Sequence, residues 1–262
     1  MNIEYYIINP TGNITALVTS DVQKQLYRKV AVEIFKDNPN VEQVGFVQFK
    51  DGSIDLNMSG DEFCGNAAVS AAALFCEVFY KNGKTELTVN FTPQAEQVSV
   101  TVLKENGYYN CKGIFKTPDD IRQYTFSFKD REYNFPLVTL NGIMHIVADE
   151  SLSESDARGV IKGLAKKLSA RALGIMIFSA KTKTMKPLVY VSEVDTLFLE
   201  NSCASGCCAV SSLQKDNSKI GIIQPSGTIY AEKCGGIIRL FSKIEIVKQC
   251  FKEIDYAEEN CF

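Results

Sequence analysis

No run of lysine or arginine in this sequence is long enough to form the basic stripe that phosphate neutralisation requires, and the formal net charge is -3. Nucleic acid is therefore not an expected partner. Long apolar runs are missing too. The most apolar stretch, Phe63 to Tyr80, is interrupted by Asn66 and Glu77 and falls short of the ~20 residues that span a bilayer. The opening residues, MNIEYYIINP, lack a cationic segment followed by an apolar one, so no membrane association is expected and a cytoplasmic location is. Histidine occurs once, at His145. A closed zinc site needs four ligands, so Cys203, Cys207 and Cys208 with one histidine in unrelated context do not imply a metal.

Against these absences stand nine cysteines in 262 residues. An odd count without an export signal points to reduced thiols rather than a disulfide framework. Cys76, Cys111, Cys234, Cys250 and Cys261 have no ligand-like spacing and read as small buried hydrophobes or surface thiols. The hydrophobic fraction of 45% and charged fraction of 23% are those of a packed globular protein, long enough for two domains.

Apolar alternation predicts strands at Glu4 to Ile8 and Thr15 to Val18, then a helix from Val22 to Phe35. Gln43 to Lys50 and Ile54 to Met58 flank Asp51-Gly52, which suits a type I′ hairpin turn. After Cys64-Gly65-Asn66 the chain is apolar on nearly every face to Tyr80, as expected of a helix surrounded by protein, with Gly83 as its end cap. Strands follow at Thr85 to Phe91, Val98 to Leu103 and Tyr108 to Phe115, the last two joined by an Asn106-Gly107 turn. The second half repeats this order, with strands near Tyr124 to Phe128 and Leu137 to Val147 and a helix near Ser153 to Leu168. Strands at Ile175 to Phe178 and Leu188 to Val191 then lead to a second cysteine turn, Asn201 to Gly206, and a second buried helix from Cys207 to Leu213. Pro118-Asp119-Asp120 marks the boundary, giving domains 1–119 and 120–262, with the last strand able to return to the first.

A glycine-containing turn opening a helix directs unpaired N–H groups and a positive dipole end at one spot, which binds carboxylates. A cysteine there is expected to have a lowered pKa. Two such turns facing each other would hold an amino acid by its carboxylate with one sulfur on each side of the α-carbon. One thiolate then removes the α-proton while the other thiol protonates the opposite face. Preorganised N–H donors stabilise the charge, so no cofactor is called for.

Cys64-Gly65-Asn66 and Cys203-Ala204-Ser205-Gly206 resemble the paired catalytic turns of the diaminopimelate epimerase superfamily over essentially the whole chain. The resemblance implies an α/β (α+β) fold of two pseudo-symmetric domains, each wrapping strands around a central helix, with the active site in the cleft between them. Met58 to Asn66, Glu200 to Cys203 and Gln224 to Gly227 are most similar to the histidine racemases of staphylopine-type metallophore biosynthesis. By position, Cys64 and Cys203 match the acid and base pair, and Gly65, Asn66, Ala204 and Ser205 the carboxylate-holding turn residues. Asn13 and Gln43 match substrate-contacting residues, His145 a cleft histidine, and Glu200 a glutamate before the second turn. Where diaminopimelate epimerase holds a distal carboxylate with asparagines and an arginine, this chain has Met58 and Ile143, and no arginine follows Glu200. The resemblance therefore implies L-histidine as substrate, ahead of diaminopimelate, lanthionine or another polar amino acid. It leaves a homodimer open.

Blander readings stand beside these. His145 in a strand-like segment is as readily a core residue as a cleft wall, and Asn13 and Gln43 could cap turns. A cysteine hydrolase leaves the second turn unexplained. An amino-acid-binding protein of the same fold would not need both thiols.

Overall fold

Ile3, Tyr5 and Ile7 of β1 (Asn2–Pro10) face one side of the sheet and Ile8 the other, as strand alternation requires, and a bulge between Ile7 and Ile8 shifts the pairing with the last strand by one residue. The computed structural model describes residues 1–92, 95–140 and 142–254, and Cys261 lies outside them. After β1 come β2 (Thr15–Val18), a 3₁₀ turn at Lys24–Leu26, α1 (Tyr27–Asp37), β3 (Gln43–Lys50), β4 (Ser53–Met58) and α2 (Gly65–Val78). β5 (Lys84–Phe91), β6 (Glu96–Glu105) and β7 (Tyr108–Lys116) complete the first half. The second runs through β8 (Asp120–Phe128), β9 (Arg131–Leu140), β10 (Ile143–Ala148), α3 (Glu154–Leu168), β11 (Ala172–Ser179), β12 (Thr184–Val191) and β13 (Thr196–Leu199). It ends with α4 (Ala204–Ser212), β14 (Ser218–Gln224), β15 (Gly227–Cys234) and β16 (Ile237–Glu253).

The strands form one sixteen-stranded sheet. β1 to β7 lie in sequence order, and β16 pairs with both β7 and β1, closing an eight-strand barrel. Inside it α2 is buried from Gly65 to Cys76, which explains a helix with no polar face. From β16 the sheet continues through β15, β14, β12, β11, β10, β9 and β8 around α4, buried along its whole length. The order repeats: β2–β3 and β10–β11 are parallel neighbours joined by α1 and α3, while β4–β5 and β12–β14 are parallel neighbours spanned by α2 and α4. This is the mixed α+β fold expected from the sequence.

α1 and α3 lie on the outer faces, and their sequences show it. In α3, Ala157, Val160, Ile161, Leu164 and Ala165 are buried at helical spacing, Ser153 caps the start by accepting from Asp156 N at 3.1 Å, and Ser169 closes it in the left-handed region.

Local details depart from expectation. Asn106 and Gly107 both take positive φ, as a type I′ turn requires, but at Asp51-Gly52 only Gly52 does, so that hairpin turn is not type I′. α2 ends at Val78 and Tyr80 takes the left-handed conformation, so Gly83 belongs to the following turn rather than to the cap. The apolar run 137–147 is two strands, not one. The helix expected from Val22 begins at Tyr27 after the 3₁₀ turn, and β14 and β15 lie where no element was expected, while β16 is a last strand that returns to β1.

Candidate active site

Cys64 and Cys203 occupy the N-cap positions of α2 and α4 with nearly the same backbone, φ/ψ −130/105° and −134/108°. Each sulfur accepts from the N–H three residues on, Ala67 at 3.3 Å and Gly206 at 3.4 Å. The first-turn N–H groups of Gly65 and Asn66, and of Ala204 and Ser205, precede the first in-helix bonds and point out of the helix ends. The two ends abut. A Cβ on Gly65 would lie 2.9 Å from Ala204 Cβ, so glycine there permits the approach, and Asn66 Nδ2 donates across it to Ser202 O at 3.0 Å.

Between the helix ends is a narrow cavity of about 30 Å³ lined by both sulfurs. Of the residues singled out in the sequence, Gln43, Cys64, Asn66, Glu200, Cys203, Ala204 and Ser205 line it. Asn13, Gly65 and His145 do not. Asn13 is fully buried behind Gln43, and Gly65 is held between the helices. His145 lies on the strand face that carries Ile143, packed against Gly174. Ile143 borders the cavity, while His145, two residues deeper, is fully buried with neither ring nitrogen hydrogen-bonded. Burial drops its pKa to about 3, so it stays neutral.

Behind Cys64 runs a chain of hydrogen bonds. The thiol donates to Gln43 Oε1 at 2.9 Å, and Gln43 Nε2 donates to Asn13 Oδ1 and to Thr15 Oγ1 at 2.7 Å. Asn13 Nδ2 donates to Glu42 Oε2 at 2.6 Å, and the other Glu42 oxygen accepts from Asn201 N at 3.2 Å and Nδ2 at 2.7 Å. Glu42 thus ties the β2–β3 side to the loop before α4. Cys203 is anchored differently. Its N–H donates to Gln224 Oε1 at 2.7 Å, its thiol lies 3.5 Å from Ser205 Oγ, and the carboxyl of Glu200 is close enough to raise its pKa.

Three carboxyls surround the cavity, and no lysine, arginine or histidine is among its described lining residues. Burial, then Glu42, raises the pKa of Glu200 to about 8, and burial raises that of Glu62 to about 7. Both thiols are pushed up by burial and by Glu200, against the smaller opposing effect of the helix N–H groups. The expected lowering at the helix starts is therefore outweighed, because the same turns that aim N–H groups at the sulfurs also remove them from water.

Glu42, Glu62, Asn201 and Gln224 were not picked out by spacing. Two consecutive acids, Asp61 and Glu62, just before a cysteine that opens a buried helix were the available signal for one of them.

The chain is similar to known proteins in both sequence and fold. The family model described as "Histidine racemase CntK N-terminal domain" matches residues 2–247. A histidine racemase of Fusobacterium nucleatum subsp. nucleatum is 33% identical over 236 residues, covering 86% of this chain and 87% of that protein. One from Staphylococcus aureus is 25% identical over 242 residues, covering 87% of each. Among solved structures, a predicted epimerase from Pseudomonas aeruginosa superposes with a TM-score of 0.69 at 10% identity, covering 97% of this chain and 100% of that one. A hydroxyproline epimerase from Agrobacterium vitis superposes with 0.68 at 8% identity, covering 95% and 92%. The structural likenesses establish the shared fold, and on the family match the chain belongs to the histidine racemase family.

Proposed function

We propose that the protein interconverts L- and D-histidine by a cofactor-independent two-base reaction in which Cys64 and Cys203 work from opposite sides of the α-carbon. The observation that carries this reading is the pair of N-cap thiols on one cavity, each with its own partner, Gln43 for Cys64 and Glu200 for Cys203. The substrate carboxylate sits against the first-turn N–H groups of Gly65, Asn66, Ala204 and Ser205, which meet the negative charge that develops as the α-proton leaves. In its ionised form, which gains weight as pH rises toward 8, Glu200 takes the thiol proton of Cys203. The thiolate removes the α-proton, and Cys64 delivers its own to the other face. Positioned acid–base chemistry of this kind contributes about 10²- to 10⁴-fold, and the preorganised N–H groups supply the larger share.

Asn13 holds Gln43, and Gln43 orients the Cys64 thiol, so both serve the site from behind the substrate. Ile143 borders the cavity and His145 supports the wall behind it. The alternative of diaminopimelate or lanthionine is disfavoured because a second carboxylate would enter among Glu42, Glu62 and Glu200 with no cation to meet it. We place the two halves, 1–119 and 120–262, as the units that each contribute one thiol, and the protein in the cytoplasm, where its eight described cysteines remain free thiols. A groove of about 730 Å³ shares Glu42 and Phe198 with the cavity and forms the approach from solvent.

The test is L-histidine in heavy water. Deuterium uptake at Cα together with conversion to D-histidine is expected. A protein that binds histidine without exchange would defeat the proposal.

A further inference from the structure

Glu62 is a buried carboxyl on the cavity that the two-thiol chemistry leaves without a task. It follows Gly60 in the turn between β4 and α2, and its Oε2 accepts from Gly60 N at 3.0 Å. A Cβ on Gly60 would lie 2.8 Å from that oxygen and 2.4 Å from Val191 Cγ1, which places the carboxyl against the Val191 wall. The same side of the cavity is lined by Phe35, Val189, Val194 and Phe198. Cys64 donates to Gln43 and Cys203 lies beside Glu200 and Ser205, so the hydrogen bonds of the two thiols go to groups other than Glu62.

We propose that Glu62 reads the substrate side chain, its carboxyl accepting a hydrogen bond from the N–H of an imidazole seated between these apolar walls. The assignment rests on the histidine racemase reading above. An apolar slot with one acidic acceptor discriminates strongly, because a side chain that cannot donate shields the carboxyl from water and leaves it with the Gly60 N–H but no partner from the substrate. The proton balance also fits. Burial, with the neighbouring Asp61 charge adding to it, brings Glu62 to about 7, close to the ~6.5 of imidazole, and Glu200 and Cys64 are the other titratable groups that interact with it. Near neutral pH the carboxyl, protonated or not, keeps an oxygen that accepts from the ring N–H.

The experiment measures kcat and KM for L-histidine in the full-length wild type, Glu62→Gln and Glu62→Leu, with folding checked by circular dichroism. Glu62→Leu is expected to raise KM by about 10- to 100-fold with kcat nearly unchanged, and Glu62→Gln, which keeps an acceptor oxygen, to recover most of that loss. A fall in kcat at constant KM would overturn the assignment by placing Glu62 in proton transfer, and so would a Leu variant that behaves as wild type. Wild-type protein offered the two ring-N-methylated L-histidines supplies a check that needs no variant: the isomer methylated on the donating nitrogen should be turned over at least tenfold less well, and equal values for the two overturn the proposal. Failure of the wild type to act on L-histidine itself would instead count against the histidine reading.

Discussion

Gln43 holds the thiol of Cys64 through its Oε1 at 2.9 Å, and it can present that oxygen because its Nε2 is already committed to Asn13 and Thr15. Cys203 has no such amide. It faces the carboxyl of Glu200, so the two thiols are chemically unequal although their helix caps are nearly superimposable. Cys64 is a held proton donor, whereas Cys203 stands next to a carboxyl that becomes a proton acceptor as it ionises toward pH 8.

Cys64→Ser and Cys203→Ser are each expected to lower racemisation of L-histidine by at least ~10²-fold, since a hydroxyl is a far weaker base than a thiolate. Chiral chromatography of timed samples measures it. Full activity in either variant would contradict the two-thiol assignment.

Gln43→Leu strips the Cys64 thiol, Asn13 Oδ1 and Thr15 Oγ1 of a common partner inside the protein. A stability loss of about 1–3 kcal/mol is expected, together with a fall in kcat. Urea unfolding and steady-state kinetics on one preparation check both, and an unchanged kcat would remove Gln43 from the orientation of the thiol.

The raised carboxyls make stability depend on pH in a definite direction. Glu62 and Glu200, at about 7 and about 8 in the fold against 4.5 when exposed, hold protons that the unfolded chain has released. Their favourable contribution is complete below pH 4.5 and is lost as pH rises through 7 and 8. Glu62→Gln and Glu200→Gln should therefore flatten the decline of stability between pH 5 and pH 8, as followed by denaturant unfolding across that range. Slopes identical to the wild type would show these groups to be ionised at ordinary values.

Gly12→Ala should damage the site from a distance. Gly12 has φ +94°, and a Cβ there would lie 2.0 Å from Ser226 Cβ. The residue precedes Asn13, and Ser226 N donates to Asn201 O at 3.1 Å, so displacement reaches both ends of the Glu42 bridge. A loss of about 1–3 kcal/mol is expected. Ser226→Gly should restore only part of it in a double-mutant cycle, because the backbone strain at residue 12 remains; full restoration would mean that the φ angle carries no cost.

Several features were legible in short windows. The type I′ turn at Asn106-Gly107 follows from two residues that tolerate positive φ, and α3 from five buried positions at helical spacing behind Ser153. The cysteine turns were legible because each opens a helix of mostly small and apolar residues. The individual strands β14 to β16 were not, since lysines and glutamates on their open faces interrupt the apolar signal, and the pairing of β16 with β7 and β1 joins residues far apart in the chain. Asn13 and Gln43 could be found as positions, whereas their joint hold on Cys64 could not be read before the fold brought them together.

What spacing by itself determined is that two sulfurs stand at the starts of two buried helices, a matter of local capping rules that act over three or four residues. Only the tertiary structure decided that those starts meet at one cavity, that Glu42 bridges Asn13 and Asn201, and that burial outweighs the helix N–H groups in raising both thiols. Desolvation and hydrogen bonding between distant residues arise from packing, which no window of sequence contains.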